Sequence, residues 1–396
     1  MRETDGKGIY GSKGMKKVSE TTAPAGEQIV IKEGEPLKDR LNRKTLYESA
    51  LVIQAQYNQF QVEEFVNSIL DKTWDDLELK ARMRQITMNL GKYLPADYSK
   101  AVEIMDNVVD NYSSGLFVIG LSLLDFIEVY GQDDKNWDLS MKALAKYTVY
   151  WSAEFAVRSF IIKDEERMMA QMYIWSQDEN EHVRRLSSEG CRPALPWGQA
   201  LKNFKNNPMP IIPILEQLKN DSSAYVRKSV ANNINDISKT HPDLVIKLVK
   251  KWRGKSEYTD WIVKHGCRTL LKKGNREVLA IFGYDDTTSL DIKDFKLAEK
   301  VIAIGDNLNF SFSISTKKAT KVRIEYGIAY VKSNGKTSGK IFKISEITLK
   351  ENEQKVYTRK HSFVDRSVRK HYPGIHSITL IVNGEERGTL DFELQA

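Results

Sequence analysis

The chain has 396 residues, 41% hydrophobic and 29% charged, which is long enough for two or three domains and too apolar for wholesale disorder. Its net charge of +7 is unevenly placed: residues 288–396 hold 19 Lys and Arg against 13 Asp and Glu, the first 35 residues hold six of each, and the middle is close to neutral. Only two cysteines occur, Cys191 and Cys267, which excludes a disulfide framework or thiolate metal site and suits a reducing compartment.

In chain order, residues 1–35 are rich in Gly, Ser and Thr, lack apolar periodicity and read as a flexible tail. They contain no apolar h-region, so secretion is not expected and a cytoplasmic location is. From Pro36 to about Tyr284 the pattern is helical, with apolar residues three and four apart over Leu77–Leu94 and Tyr98–Tyr112. Turn signals at Gly91, Pro95, Gly131, Pro193, Pro208, Pro242, Gly254 and Gly274 divide it. Leu116–Val129 is the most apolar run, but Gly120, Asp125 and Glu128 interrupt it, so it reads as a core helix rather than a membrane span.

Two of these segments repeat. Asp178–Arg192 and Asp221–Asn235 align at Val183-Arg184 and Val226-Arg227, 43 residues apart, and Gly266-Cys267-Arg268 echoes Gly190-Cys191-Arg192. A period near forty predicts HEAT-like helical pairs, which stack into a solenoid because one pair cannot bury its apolar face alone. Beyond Thr288 the period becomes two, as in Leu308, Phe310, Phe312 and Ile314, or Ile378, Leu380 and Val382. Asn334-Gly335 and Asn383-Gly384 mark hairpins between such runs. About seven strands in roughly 100 residues predict a disulfide-free immunoglobulin-like sandwich. The expected organisation is a tail over 1–35, a helical-repeat domain over 36–287 and an all-β domain over 288–396.

The sequence shows no phosphate loop, HExxH, Cys cluster or GxSxG, and its six histidines have no metal-ligand spacing, so neither a metal nor a cofactor is expected. The richest stretch is Trp175–Trp197. On a helix, Val183, Leu186 and Gly190 face one way, while Arg185, Glu189 and Arg192 share the opposite face. In the next repeat Val226, Val230, Ile234 and Ile237 point inward, and Lys228, Asn232 and Asp236 form the polar stripe. Upstream, Glu154 and Arg158 stand one turn apart. Three successive repeats thus each offer a carboxylate, Glu154, Glu189 and Asp236, interleaved with cations and with Phe155, Trp175 and Trp197. Charged pairs at such spacing are most often solvated helix faces, and the prolines before Trp197 also fit a turn that seats a core Trp, so patterning alone leaves these roles open.

The segments SAEFAVR at Ser152–Arg158, WSQDENEHVRRLSSEGCRP at Trp175–Pro193, LPWG at Leu195–Gly198 and YVRKSVANNINDISK at Tyr225–Lys239 closely resemble the AlkC branch of the HEAT-like-repeat DNA glycosylases. The resemblance runs from about Pro36 to about Tyr284, and the β segment resembles the immunoglobulin-like extension of one subgroup. It implies excision of N3-methyladenine and N3-methylcytosine from double-stranded DNA by a monomeric enzyme, with the damaged base left stacked rather than flipped. It places Glu154, Glu189 and Asp236 around the scissile deoxyribose. It places Phe155, Arg185, Arg192 and Trp197 against the sugar and backbone. Arg158, Trp175, Arg227 and Asn232, on the same stretches, are expected to add DNA contacts. The competing readings are a non-catalytic helical scaffold for damaged or branched nucleic acid, and a protein–protein adaptor.

Overall fold

The computed structural model describes residues 36–112, 117–366 and 369–396; the expected tail over 1–35 lies outside them. Among the described residues sixteen α-helices precede eight strands. The helices are α1 (Arg43–Gln56), α2 (Val62–Ile69), α3 (Leu79–Tyr93), α4 (Tyr98–Tyr112), α5 (Phe117–Tyr130), α6 (Trp137–Tyr147), α7 (Val157–Lys163) and α8 (Glu165–Trp175). They continue as α9 (Glu181–Glu189), α10 (Lys202–Asn206), α11 (Ile212–Leu218), α12 (Ala224–Ile237), α13 (Pro242–Trp252), α14 (Glu257–Gly266), α15 (Arg268–Lys272) and α16 (Arg276–Ile281). One apolar core runs through this body from Leu41 to Tyr284. α5, the apolar run, lies within that core, with Leu123, Leu124, Phe126 and Ile127 buried, and no described helix is long and apolar enough to cross a membrane.

The repeated Asp and Val-Arg have a local physical cause. Asp178 and Asp221 each accept the backbone N–H two residues on, at 2.8 Å, presenting Asn180 and Ser223 as the N-caps of α9 and α12. Arg184 and Arg227 then fold back and donate to the carbonyls of that entry loop, Asp178 and Glu179 in one repeat, Asp221 and Ser222 in the next. Arg184 also pairs with Asp221 at 2.7 Å, locking one repeat to its successor. The repeated glycine permits close helix approach: a Cβ at Gly190 would lie 2.6 Å from Val157 Cγ2, and one at Gly266 would lie 2.7 Å from Ile234 Cγ2.

The strands are β1 (Leu290–Leu297), β2 (Val301–Ala303), β3 (Asn307–Thr316), β4 (Thr320–Val331), β5 (Thr337–Leu349), β6 (Gln354–Ser362), β7 (Gly374–Val382) and β8 (Glu385–Gln395). They form a sandwich of two sheets, ordered β1-β3-β6 and β2-β8-β7-β4-β5, with a separate core from Leu290 to Leu394. The period-two residues fill it: Leu308, Phe310, Phe312, Ile314, Ile378, Leu380 and Val382 are all buried. Asn383 and Gly384 have φ of 48° and 77°, the signature of a type I′ hairpin.

That hairpin docks the sandwich on the helical body. A Cβ at Gly384 would lie 2.5 Å from Leu279 Cδ1, so only glycine fits against α16. Lys264 pairs with Glu346 at 2.7 Å, Arg276 with Glu385 at 2.8 Å, and Lys321 donates to the Phe282 carbonyl at 2.8 Å. The outward side chains of β4, Arg323 and Glu325, are consequently buried and paired with each other, where simple alternation predicts exposed polar residues.

Candidate active site

The short segment before α7, together with α9 and α12, builds one polar row. Glu154 Oε2 accepts from Ser152 Oγ at 2.7 Å and from Arg185 Nη2 at 2.9 Å. Arg185 lies 3.7 Å from Glu189 Oε1 and packs its guanidinium 4.5 Å over the Tyr225 ring. Arg192 donates to Glu189 at 2.6 Å and to Asp236 at 2.8 Å, and Lys239 reaches the other Asp236 oxygen at 2.9 Å. The order is Glu154, Arg185, Glu189, Arg192, Asp236, Lys239, with anion and cation alternating across three repeats.

Glu189, Arg192 and Asp236 are buried, while Glu154 and Arg185 are half-buried. Burial alone would lower the pKa of Arg185 and Arg192, but Glu189 with Glu154, and Glu189 with Asp236, more than offset it and raise both. Each arginine is therefore a fixed cation held between carboxylates. Arg192, expected to grip a phosphate, has little exposed surface and donates through Nε to Asp236 and through Nη1 to Glu189, an arrangement that suits holding those carboxylates.

Trp197 is different. It is 74% exposed, which removes the alternative of a core Trp. It sits third in the Leu195–Gly198 turn, closed by a 3.1 Å bond from Gly198 N–H to the Leu195 carbonyl, with φ of 62°. Positive φ is costly for a bulky residue, so the turn must be held from outside. Two groups do so. Arg158 Nη1 donates to the Gly190 and Arg192 carbonyls at 2.8 and 3.0 Å, and Nε donates to Gln199. Lys80 on α3 donates to the Trp197 carbonyl at 2.9 Å and lies 4.6 Å over the Phe155 ring.

The remaining expected contacts divide. Arg158 is 1% exposed, with its pKa lowered to about 10 by burial, and it braces the turn rather than reaching the surface. Trp175 is 5% exposed and belongs to the core. Neither is brought to a place where DNA could touch it. Arg227 donates to the Asp221 and Ser222 carbonyls ahead of its own helix and stacks 4.0 Å from the Tyr258 ring. Asn232 is half-buried and accepts from Arg268 Nη2 at 3.0 Å. Beside Phe155 opens a cleft of ≈ 350 Å³, lined by Lys80, Arg84, Asp125, Glu128, Ser152 and Gln199 among others. Burial raises the pKa of Glu128 there.

Sequence reasoning missed Ser152, Lys80, Lys239 and Arg268 as members of this surface. Arg268 was signalled by the Gly-Cys-Arg echo; Lys80 left no signal, being 117 residues from its partner. Among the described residues, no group of three or more His, Cys, Asp or Glu side chains is arranged to hold a metal ion.

Comparison with known proteins agrees with this architecture. Residues 81–270 match the family model described as DNA alkylation repair enzyme, and residues 291–396 match that of the YhaZ C-terminal Ig-like domain. The chain is 44% identical over 358 residues to Uncharacterized protein YhaZ of Bacillus subtilis, covering 90% of this chain and 99% of that one. It superposes with a TM-score of 0.86 and 36% identity on the Pseudomonas fluorescens alkylpurine DNA glycosylase AlkC bound to DNA containing an abasic site analog, covering 91% of this chain and 100% of that one. The chain belongs to the DNA alkylation repair enzyme family, in the AlkC-type branch whose helical-repeat body carries a C-terminal immunoglobulin-like domain.

Proposed function

We propose that this chain is a monofunctional DNA glycosylase that hydrolyses the N-glycosidic bond of N3-methyladenine and N3-methylcytosine in double-stranded DNA and leaves an abasic site. The observation that carries the reading is the alternating row, which fixes Glu154, Glu189 and Asp236 in one line beside the exposed Trp197. An N3-alkylated base is cationic and already a good leaving group, so the site needs no strong general acid. As the C1′–N bond breaks, positive charge moves onto the deoxyribose, and fixed carboxylates stabilise that oxocarbenium-like state. One of them orients or deprotonates the attacking water. The arginines hold the carboxylates in place, so little reorganisation is needed at the moment of bond breaking. Trp197 and Phe155 supply aromatic faces for the charged sugar or base.

The same reading has the protein acting as a monomer in the cytoplasm, without a metal or cofactor and without flipping the base. The sandwich contributes to DNA binding through the basic β4–β5 turn and the start of β5, Lys332–Lys340, and the segment 366–371, whose residues 367–368 lie outside the described ones. Supporting this, burial and then the nearby charges of Arg369 and Lys272 lower the pKa of Lys340. Cations from α15 and the sandwich thus converge at their seam, a suitable seat for phosphate.

The test is to incubate the protein with methylated duplex DNA and resolve released bases by chromatography. Release of N3-methyladenine and N3-methylcytosine is expected. Tight binding with no base released would favour the non-catalytic scaffold.

A further inference from the structure

The repeats carry the polar row one repeat further than the carboxylates. Aligned on the two Gly-Cys-Arg segments, Arg185, Glu189 and Arg192 of α9 correspond to Trp261, His265 and Arg268 at the α14–α15 junction. Aligned on the two Val-Arg pairs, the same α9 positions correspond to Lys228, Asn232 and Asn235 of α12, in the repeat between them. The third stripe therefore shares a solenoid face with the first, but an aromatic pair replaces Arg-Glu.

That pair is placed unlike a core element. The Trp261 and His265 rings stack 5.0 Å apart at 7°, Trp261 is 45% exposed, and it lies outside the main apolar core. The cations around it also differ from those of the carboxylate row. Among the described residues Arg268 donates only to neutral oxygens, the His265 carbonyl at 2.8 Å and Asn232 Oδ1 at 3.0 Å. Lys228 is exposed, and neither cation ion-pairs with a carboxylate among the described residues. Burial and then the charges of Arg268 and Lys228 lower the pKa of His265 to about 4, so the ring is neutral near pH 7 and adds no repulsion.

We propose that Lys228, Trp261, His265 and Arg268 form a subsite for the DNA backbone flanking the lesion, with Lys228 and Arg268 holding a phosphate and the exposed Trp261 face packing against the adjacent deoxyribose. The proposal rests on the glycosylase reading for which surface faces DNA. It deepens that reading by moving the phosphate contact off Arg192, which is buried against two carboxylates, to cations one and two repeats along. Paired cations release few counterions when a polyanion arrives, whereas unpaired ones replace the phosphate's own. His265 backs the indole and fixes its orientation, so little rotamer freedom is lost when a sugar docks.

The experiment uses the full chain and undamaged duplex DNA, with binding isotherms over a salt series and circular dichroism as the folding control. Lys228→Gln should lower affinity several-fold and reduce the slope of log affinity against log salt by about 0.9. Trp261→Ala should lower affinity about tenfold with the slope unchanged, and Trp261→Phe should restore most of it. A parental slope in Lys228→Gln together with parental affinity in Trp261→Ala overturns the subsite. If Trp261→Ala fails to fold, the Lys228→Gln slope decides alone, since that side chain is exposed. Undamaged duplex separates the two readings: a reduced slope here, with no base released from methylated duplex, leaves the subsite standing and removes the glycosylase, and base release from methylated duplex with an unchanged slope here does the reverse.

Discussion

Lys80 donates to the carbonyl of Trp197 across 2.9 Å, joining α3 to a turn 117 residues further along the chain. The same ammonium lies over Phe155, so one cation holds both aromatics of the candidate site. Lys80→Met should leave the body folded, free the turn at Trp197, and lower affinity for lesion-containing duplex by about fivefold, equivalent to about 1 kcal/mol. Lys80→Arg should retain most of it. Isotherms on abasic-site and undamaged duplex, read side by side, check this; equal losses on both would make Lys80 a general phosphate contact.

Asp236→Asn and Glu189→Gln should each slow single-turnover excision by far more than they weaken binding, by about 2.7–4 kcal/mol judged from oxyanion-hole donors. Each also leaves Arg192 partly uncompensated in a buried place, so a lower melting temperature accompanies the lost rate. Excision at the parental rate in either variant would remove that carboxylate from the chemistry.

Arg192→Ala separates positioning from phosphate binding. Because the guanidinium is buried between Glu189 and Asp236, its loss should leave the salt dependence of duplex binding unchanged while excision falls. A salt slope reduced by about one unit would show that a phosphate reaches Arg192 after all.

Truncation at Thr288 should leave a folded helical body, because the two apolar cores are separate. The truncated body should melt at lower temperature, having lost the pairs Lys264–Glu346 and Arg276–Glu385 and the cover over Leu279. Excision should drop sharply, because residues 288–396 carry +6 of the chain's net charge of +7. Circular dichroism with single-turnover excision tests both halves; a folded body with full rate would leave the sandwich outside the reaction.

The sandwich should lose stability in acid. Burial, with Arg369 and His371 nearby, lowers the pKa of His361 to about 4, and burial also lowers those of His371 and His376. A depressed folded-state value means that the unfolded chain binds the proton more readily. The stability is thus fully present above the ordinary histidine value near 6.5 and is lost as pH falls toward 4, by at most about 3 kcal/mol for His361. The ring bridges the Tyr326 and Tyr330 hydroxyls at 2.9 and 2.7 Å, so His361→Gln should lower the melting temperature at neutral pH but flatten its dependence between pH 7 and 4. An equal acid slope in the variant would assign the effect elsewhere.

Local rules carried much of this protein. Hydrophobic period separates helices from strands near residue 288, and repeated Asp, Val-Arg and Gly-Cys-Arg signals mark the stacked pairs, because capping and close helix approach depend on residues only a few positions apart. Glu154, Glu189 and Asp236 were legible as candidates because three successive repeats each offer a carboxylate among cations, although not at one offset: the Val-Arg alignment sets Asn232 opposite Glu189. What each polar residue does was decided between repeats. Arg185 and Arg192 look alike on a helical wheel, yet Arg192 is buried because Asp236 arrives from α12, 44 residues away. Trp175 and Trp197 are equally apolar in sequence, but one fills the core and the other is held outward on a strained turn by Lys80 and Arg158. Burial and ion pairing depend on which helix face meets which, a long-range outcome of packing that local sequence periodicity does not encode.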